Sequence, residues 1–212
     1  MQVEQLWKEY GKKFVKNSFF NGLAIQLATK SEIFKGICWT LLNKEDEYQY
    51  LPKFGKAISV KYDWKNLTVE VERGEKYRYS LKVWIEFLNL VDQILIDILP
   101  LNTVITLDVN QIPEEIKEQY IDLTEYRFSI IRQRAGLNDS VYADYLITPW
   151  PNGLLVDTIP IPISTHMIKD VISKGYSDQI EEEYIFRLKQ EALEQNKHSM
   201  LFDTLRGFID EN

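Results

Sequence analysis

Residues 57–81 read AISVKYDWKNLTVEVERGEKYRYSL. Ala57 to Trp64 alternates apolar and polar side chains, Leu67 to Glu72 alternates again, and Tyr77 to Leu81 follows the turn Arg73-Gly74-Glu75. Successive side chains of a strand point to opposite faces. Period-two alternation between turns therefore predicts an antiparallel meander with one wet face. Immediately downstream, Val83 to Leu99 reads VWIEFLNLVDQILIDIL. Glu86, Asn89, Gln93 and Asp97 follow steps of three, four and four, so they form one polar stripe on an otherwise apolar helix. Acids inside this segment are costly in a bilayer, which makes it a mostly buried helix covering the meander rather than a membrane span. Pro100 is expected to end it, because proline supplies no helical N–H.

Upstream, residues 2–30 look helical, with Val3, Leu6, Trp7, Tyr10 and Phe14 near helical spacing and a break expected at Asn21-Gly22. Ile37 to Leu42 is a continuous apolar run that reads as a strand. Downstream, Leu101–Leu107, Phe128–Arg132 and Val141–Ile147 read as strands, with Gly136-Leu137-Asn138-Asp139 as a loop. Pro113-Glu114-Glu115 suits a helix start, with proline in the first turn and acids at the positive end of the dipole. Pro149-Trp150-Pro151-Asn152-Gly153 is a turn, and Pro160 and Pro162 make Ile159–Ile163 an edge segment. Ser164 is expected to cap a short helix over His166–Lys174 closed by Gly175, and Ser177 a last helix from Asp178 to about Leu205.

The fold class is therefore α+β. An N-terminal helix–antiparallel meander–helix lobe over 1–99 is followed, over 100–212, by a small, mostly antiparallel β lobe with C-terminal helices. The 83–99 helix is apolar enough to serve both, so two lobes and one shared core both fit the pattern.

The chain has 212 residues, with Lys+Arg 25 against Asp+Glu 32 and a net charge of -7. Residues 1–99 carry a net +2 and residues 100–212 a net -9. So acidic a half repels nucleic-acid phosphates and anionic membranes, and neither is an expected partner. A single cysteine makes no intramolecular disulfide, and two histidines build no Cys/His zinc cluster. The N-terminus has scattered charges and no apolar h-region, so it does not read as a signal peptide. These features describe a soluble, intracellular, acidic globular protein, expected in the cytoplasm.

The chemical residues favour bland roles. Cys38 lies in the apolar run ICWTLL and reads as a small core residue. Ser164 and His166 read as a helix start rather than a nucleophile and its base. His166 and His198 have no partner at metal-ligand spacing, and Glu181-Glu182-Glu183 lacks the spacing of a calcium loop. Asp144, between Tyr142 and Tyr145, reads as a tyrosine-bonded structural acid. No glycine pattern fits a phosphate. No catalytic residue, metal or cofactor is assigned. Tyr142, Tyr145, Trp150, Asn152 and Tyr176 lie near turns of the second lobe and are candidate partner-binding residues, because Trp and Tyr are over-represented at interface hot spots.

Read in order, several short motifs of the second lobe follow a family pattern. They are Leu99-Pro100-Leu101-Asn102-Thr103-Val104-Ile105, Ile130-Ile131-Arg132, Asp144-Tyr145-Leu146 and Pro149-Trp150-Pro151-Asn152-Gly153, then an Ile168–Ile172 helix and Gly175-Tyr176-Ser177-Asp178. Over about residues 99–195 the chain resembles DUF4176, a domain-of-unknown-function family that accompanies type VII secretion loci of Gram-positive bacteria. Asn102 stands where the family usually has glycine. The resemblance implies a non-enzymatic cytoplasmic accessory that binds a secreted effector or its small helical partners before export. An immunity protein occluding the C-terminal domain of a cognate toxin is the alternative. A third reading is an enzyme with an acidic pair in a cleft between the lobes, which requires two carboxyls with raised pKa values.

Overall fold

A computed structural model describes residues 2–112, 114–117, 126–154 and 159–210. The fold is α+β, and the chain divides into two compact units, 1–97 with 201–212, and 98–200. The division falls between residues 97 and 98, and the last helix, from Leu201, belongs to the first unit.

The first unit opens with α1 (Gln2–Tyr10), α2 (Lys12–Val15), α3 (Ser18–Thr29) and α4 (Ser31–Leu42). The helical breaks fall at Gly11, at Asn17 and at Lys30, and not at Asn21-Gly22, which lie inside α3. Asn17 is extended and its side chain accepts the Phe19 N–H, the geometry of an N-cap. The run Ile37–Leu42 is helix, not strand. Ile33, Ile37 and Leu41, with Phe34 and Cys38, repeat every four residues and are all buried, so they form one apolar stripe along α4.

β1 (Glu47–Tyr50), β2 (Ile58–Asp63), β3 (Thr68–Arg73) and β4 (Glu75–Ser80) pair antiparallel in sequence order; the last three are the strands read from residues 57–81, and β1 is an edge strand that the sequence reading did not assign. Ile58, Val60 and Tyr62 face inward while Lys61 stays exposed. Helix α5 (Leu81–Leu90), capped by Ser80, follows, and Trp84 Nε1 donates to the buried Tyr62 hydroxyl at 3.2 Å. Phe87, fully buried, meets the rings of Phe14, Phe20, Trp7 and Trp84.

The polar stripe of this helix is a correction. Asn89 and Gln93 are buried and bonded to each other at 3.2 Å, whereas Glu86 is exposed and pairs with Lys13 at 2.8 Å. Helix α5 passes into a π-helical turn over Val91–Leu95 and stops there, so Pro100 lies beyond its end.

In the second unit β5 (Val104–Leu107), β6 (Arg127–Gly136), β7 (Val141–Trp150), β8 (Ile161–Ile163), β9 (Ile168–Ser173) and β10 (His198–Ser199) make one sheet. Its order is β10-β7-β6-β5-β9, with β8 also on β7. The pairs are antiparallel except β10 with β7. Helix α6 (Glu114–Lys117) is the described part of the helix read from Pro113, which itself lies outside the described residues. Ile105, Phe128, Ile130, Tyr145, Ile147, Ile161 and Ile163 build the core.

Two helical expectations fail here. Thr165–Met167 is a single 3-10 turn, Ser164 makes no capping bond, and Ile168–Ser173 is the strand β9 paired with β5. Ile168, Val171 and Ile172 are β-branched residues that suit that ladder. The last helix is likewise two helices. Asp178, rather than Ser177, caps α7 (Gln179–Glu194) by accepting the N–H groups of Ile180 and Glu181. Asn196 then turns the chain in the left-handed region (φ 52°), His198-Ser199 pairs with Val141-Tyr142, and α8 (Met200–Asp210) follows.

Candidate functional site

A bulge shapes the wall of the second unit. Ile130 of β6 pairs with Ile147 of β7, yet Arg132 pairs with Leu146, so Ile131 is an extra residue. Such an insertion moves the buried positions from one parity to the other. Before it Phe128 and Ile130 are buried; after it Gln133 and Ala135 are. The register then sets Gln133 opposite Tyr145, and Arg132 and Arg134 on the other face of β6. Arg134 has φ 41°, a left-handed conformation that a side chain with a Cβ adopts at a cost of about 1–2 kcal/mol. Its Nη1 donates to the carbonyl of Leu188 on α7 at 3.1 Å, and its guanidinium lies 5.1 Å from the Tyr142 ring centroid. Gln133 Nε2 donates to the Leu99 carbonyl at 2.8 Å and to Glu181 Oε1 at 3.2 Å.

Beneath α7 these ties leave a cavity of about 300 Å³ lined by Arg132, Gln133, Arg134, Tyr142, Tyr184 and Lys197, among others.

The five candidate partner-binding residues separate into two groups. Tyr142 is 2% exposed and Tyr145 1%, so neither presents its ring to a partner. This corrects the expectation for both. Tyr145 is a core residue of the sheet whose hydroxyl accepts the Leu99 N–H at 2.9 Å, and Tyr142 packs under Arg134. Trp150 is 45% exposed, Tyr176 82%, and Asn152 is exposed. The turn around Asn152 is tied internally: Gly153 N–H donates to the Pro149 carbonyl, and Thr148 Oγ1 to the Gly153 carbonyl at 2.7 Å. Arg127 sits 5.7 Å from the Trp150 ring, a cation–π contact. Tyr176 precedes the cap of α7, whose first turns expose Ile180 (75%) and Tyr184.

Asp144 is buried and accepts the Thr165 N–H at 2.7 Å, a backbone donor rather than the expected tyrosine. Burial pushes its carboxyl above the usual range, against the Thr165 N–H and the Arg134 charge. No group of three His, Cys, Asp or Glu able to hold a metal ion occurs among the described residues, and none of their helices is long and apolar enough to cross a membrane.

Sequence reasoning passed over Arg132, Gln133, Arg134, Tyr184 and Lys197, which come together only in the fold. Comparison with known proteins returned nothing: no family model, curated protein or solved structure matches the chain.

Proposed function

We propose that the protein is a non-enzymatic, cytoplasmic accessory of a type VII secretion system that binds a secreted effector, or the small helical proteins exported with it, before export. The secretion context rests on the resemblance of residues 99–195. The observation that carries the binding role is the exposed apolar surface at the start of α7. Tyr176 and Ile180 leave most of their area in water, and Tyr184 nearly half. Exposed apolar surface gathered in one place, with a polar rim, is characteristic of protein-binding sites. The exposed acids Glu182 and Glu183 rim it and favour a basic partner.

A second reading, an immunity protein that covers a toxin domain, is favoured by the net -9 of residues 100–212, which would mask a basic catalytic surface. One experiment separates them. The purified protein is titrated with the N-terminal helical half, and separately with the C-terminal toxin half, of an effector encoded at the same locus. Binding of the N-terminal half, weakened by Ile180→Asp, supports the accessory role. Binding of the toxin half with loss of its toxicity supports immunity. Binding of neither overturns both.

A further inference from the structure

The cavity beneath α7 shares Tyr184 with the apolar surface of the proposed protein-binding role, and the rest of its lining lies outside that surface. Among the described residues, three basic side chains, Arg132, Arg134 and Lys197, line it against one acid, Glu191. A half-chain of net charge -9 thus encloses a locally cationic recess. Its volume, about 300 Å³, is at the lower end of what small-molecule sites occupy.

The donors are already positioned. Arg134 is fixed on three sides, by its left-handed backbone, by the Leu188 carbonyl and by the Tyr142 ring. Arg132, exposed at the mouth, has a guanidinium that makes no ion pair or side-chain hydrogen bond among the described residues. Residues held in sparsely populated backbone regions cluster at ligand clamps.

Gln133 lies on the other face of β6, its Nε2 committed to Leu99 and Glu181 and its Oε1 buried, so the arginines and Lys197 are the groups that a bound molecule meets. The walls between are Tyr184, Leu188 and Ala192, which suit a short carbon skeleton.

We propose that this cavity binds a small organic anion, its carboxylate or phosphate held by Arg132, Arg134 and Lys197 and its short carbon skeleton set against Tyr184, Leu188 and Ala192. The two sources of this chemistry are a short carboxylate and a phosphate monoester. The probes are therefore malate and glycerol 3-phosphate, titrated into the intact protein by calorimetry and by amide chemical-shift mapping. Saturable binding of either, with shifts confined to 132–136, 142 and 184–197, is the expected result, and the probe that binds identifies the anion. Arg132→Gln should weaken that binding about tenfold, as expected for loss of a charge-assisted bond. Arg187→Gln, exposed on α7 outside the lining, should leave it unchanged. Failure of both probes to saturate at about 10 mM, a free energy of only ~3 kcal/mol, overturns the proposal. So does binding that survives Arg132→Gln intact, or that Arg187→Gln weakens equally.

Discussion

Gly175 stands immediately before Tyr176, and its backbone sets where the exposed start of α7 leaves the sheet. A Cβ built on it would lie 1.8 Å from the Leu101 carbonyl oxygen, 2.9 Å from that carbonyl carbon and 3.1 Å from the Thr103 nitrogen. All three are backbone atoms, and none can swing aside as a side chain would. Restoring ordinary contact, about 3.5 Å, requires one segment to retreat by more than 1 Å. Both segments are pinned. Gly175 N–H donates to Thr103 Oγ1 at 3.0 Å, Thr103 Oγ1 to the Pro100 carbonyl at 2.7 Å, and Asn102 N–H to the Ile130 carbonyl at 2.8 Å. Gly175→Ala therefore forces overpacking, about 1–3 kcal/mol, and strains one or two hydrogen bonds of about 1 kcal/mol each. The expected loss is about 2–5 kcal/mol of the second unit's stability. Trp7, Trp39, Trp64 and Trp84 all fall in the first unit and Trp150 in the second, so urea unfolding followed by fluorine NMR of 5-fluorotryptophan reads each unit separately. The Trp150 resonance should reach its midpoint at clearly lower urea. Gly207→Ala, in α8 with open space around the new Cβ, is the control and should stabilise by about 0.5–1 kcal/mol. A Gly175→Ala protein within about 0.5 kcal/mol of the parent, inside the range of ordinary surface substitutions, would refute the close-approach argument.

Three further outcomes follow from the same structure. Asp144 has a raised folded-state pKa, so between its unfolded value and that raised one the native state binds the extra proton. Its contribution to stability is then fully present at low pH and lost as pH rises through the folded value. Asp144→Asn keeps an acceptor for the Thr165 N–H without a charge to desolvate; urea midpoints between about pH 4 and 8 should decline in the parent and flatten in the variant, and parallel profiles would exclude this. Asn102 sits at φ 61°, so Asn102→Ala should cost about 1 kcal/mol while Asn102→Gly stays near neutral, measured by the same unfolding assay. Phe87→Ala removes a fully buried ring touching four others and should destabilise the first unit by about 3–5 kcal/mol in calorimetry.

The meander is legible in sequence because each strand keeps one face wet: Ile58, Val60 and Tyr62 of β2 point in while Lys61 points out, and the alternation survives in the letters. Helix α4 is not legible in the same way. Its residues 37–42 are apolar apart from Thr40, and such a short run fits a buried helix as well as a buried strand. Only the wider window, Ile33-Ile37-Leu41 with Phe34-Cys38, carries the helical period. At β9 the punctuation misleads: Ser164 and Gly175 resemble helix caps, but β5 offers a ladder that the β-branched residues between them complete. Asn102 works in the opposite sense. It holds φ 61° without being a glycine, because asparagine is among the side chains that tolerate the left-handed region.

The cavity was beyond local spacing for a physical reason. Its lining comes from 132–136, 142 and 184–197, three segments that no motif window spans. Its wall also depends on Ile131, an insertion that reverses the alternation of β6 without leaving any mark in composition. A strict period-two reading carried from Phe128 and Ile130 through Arg132 and Arg134 puts both arginines in the core. The bulge exchanges the faces, so that Gln133 takes the buried side and the arginines line the recess. The one clue present in the letters is chemical: Arg132 and Arg134 stand two apart on a strand of the acidic half, where alternation would bury both. Two charged side chains at positions assigned to a core contradict that assignment, since unpaired buried charge is among the most expensive arrangements a fold can hold. The contradiction, taken seriously, requires an irregularity between Ile130 and Arg132, and the bulge at Ile131 is that irregularity.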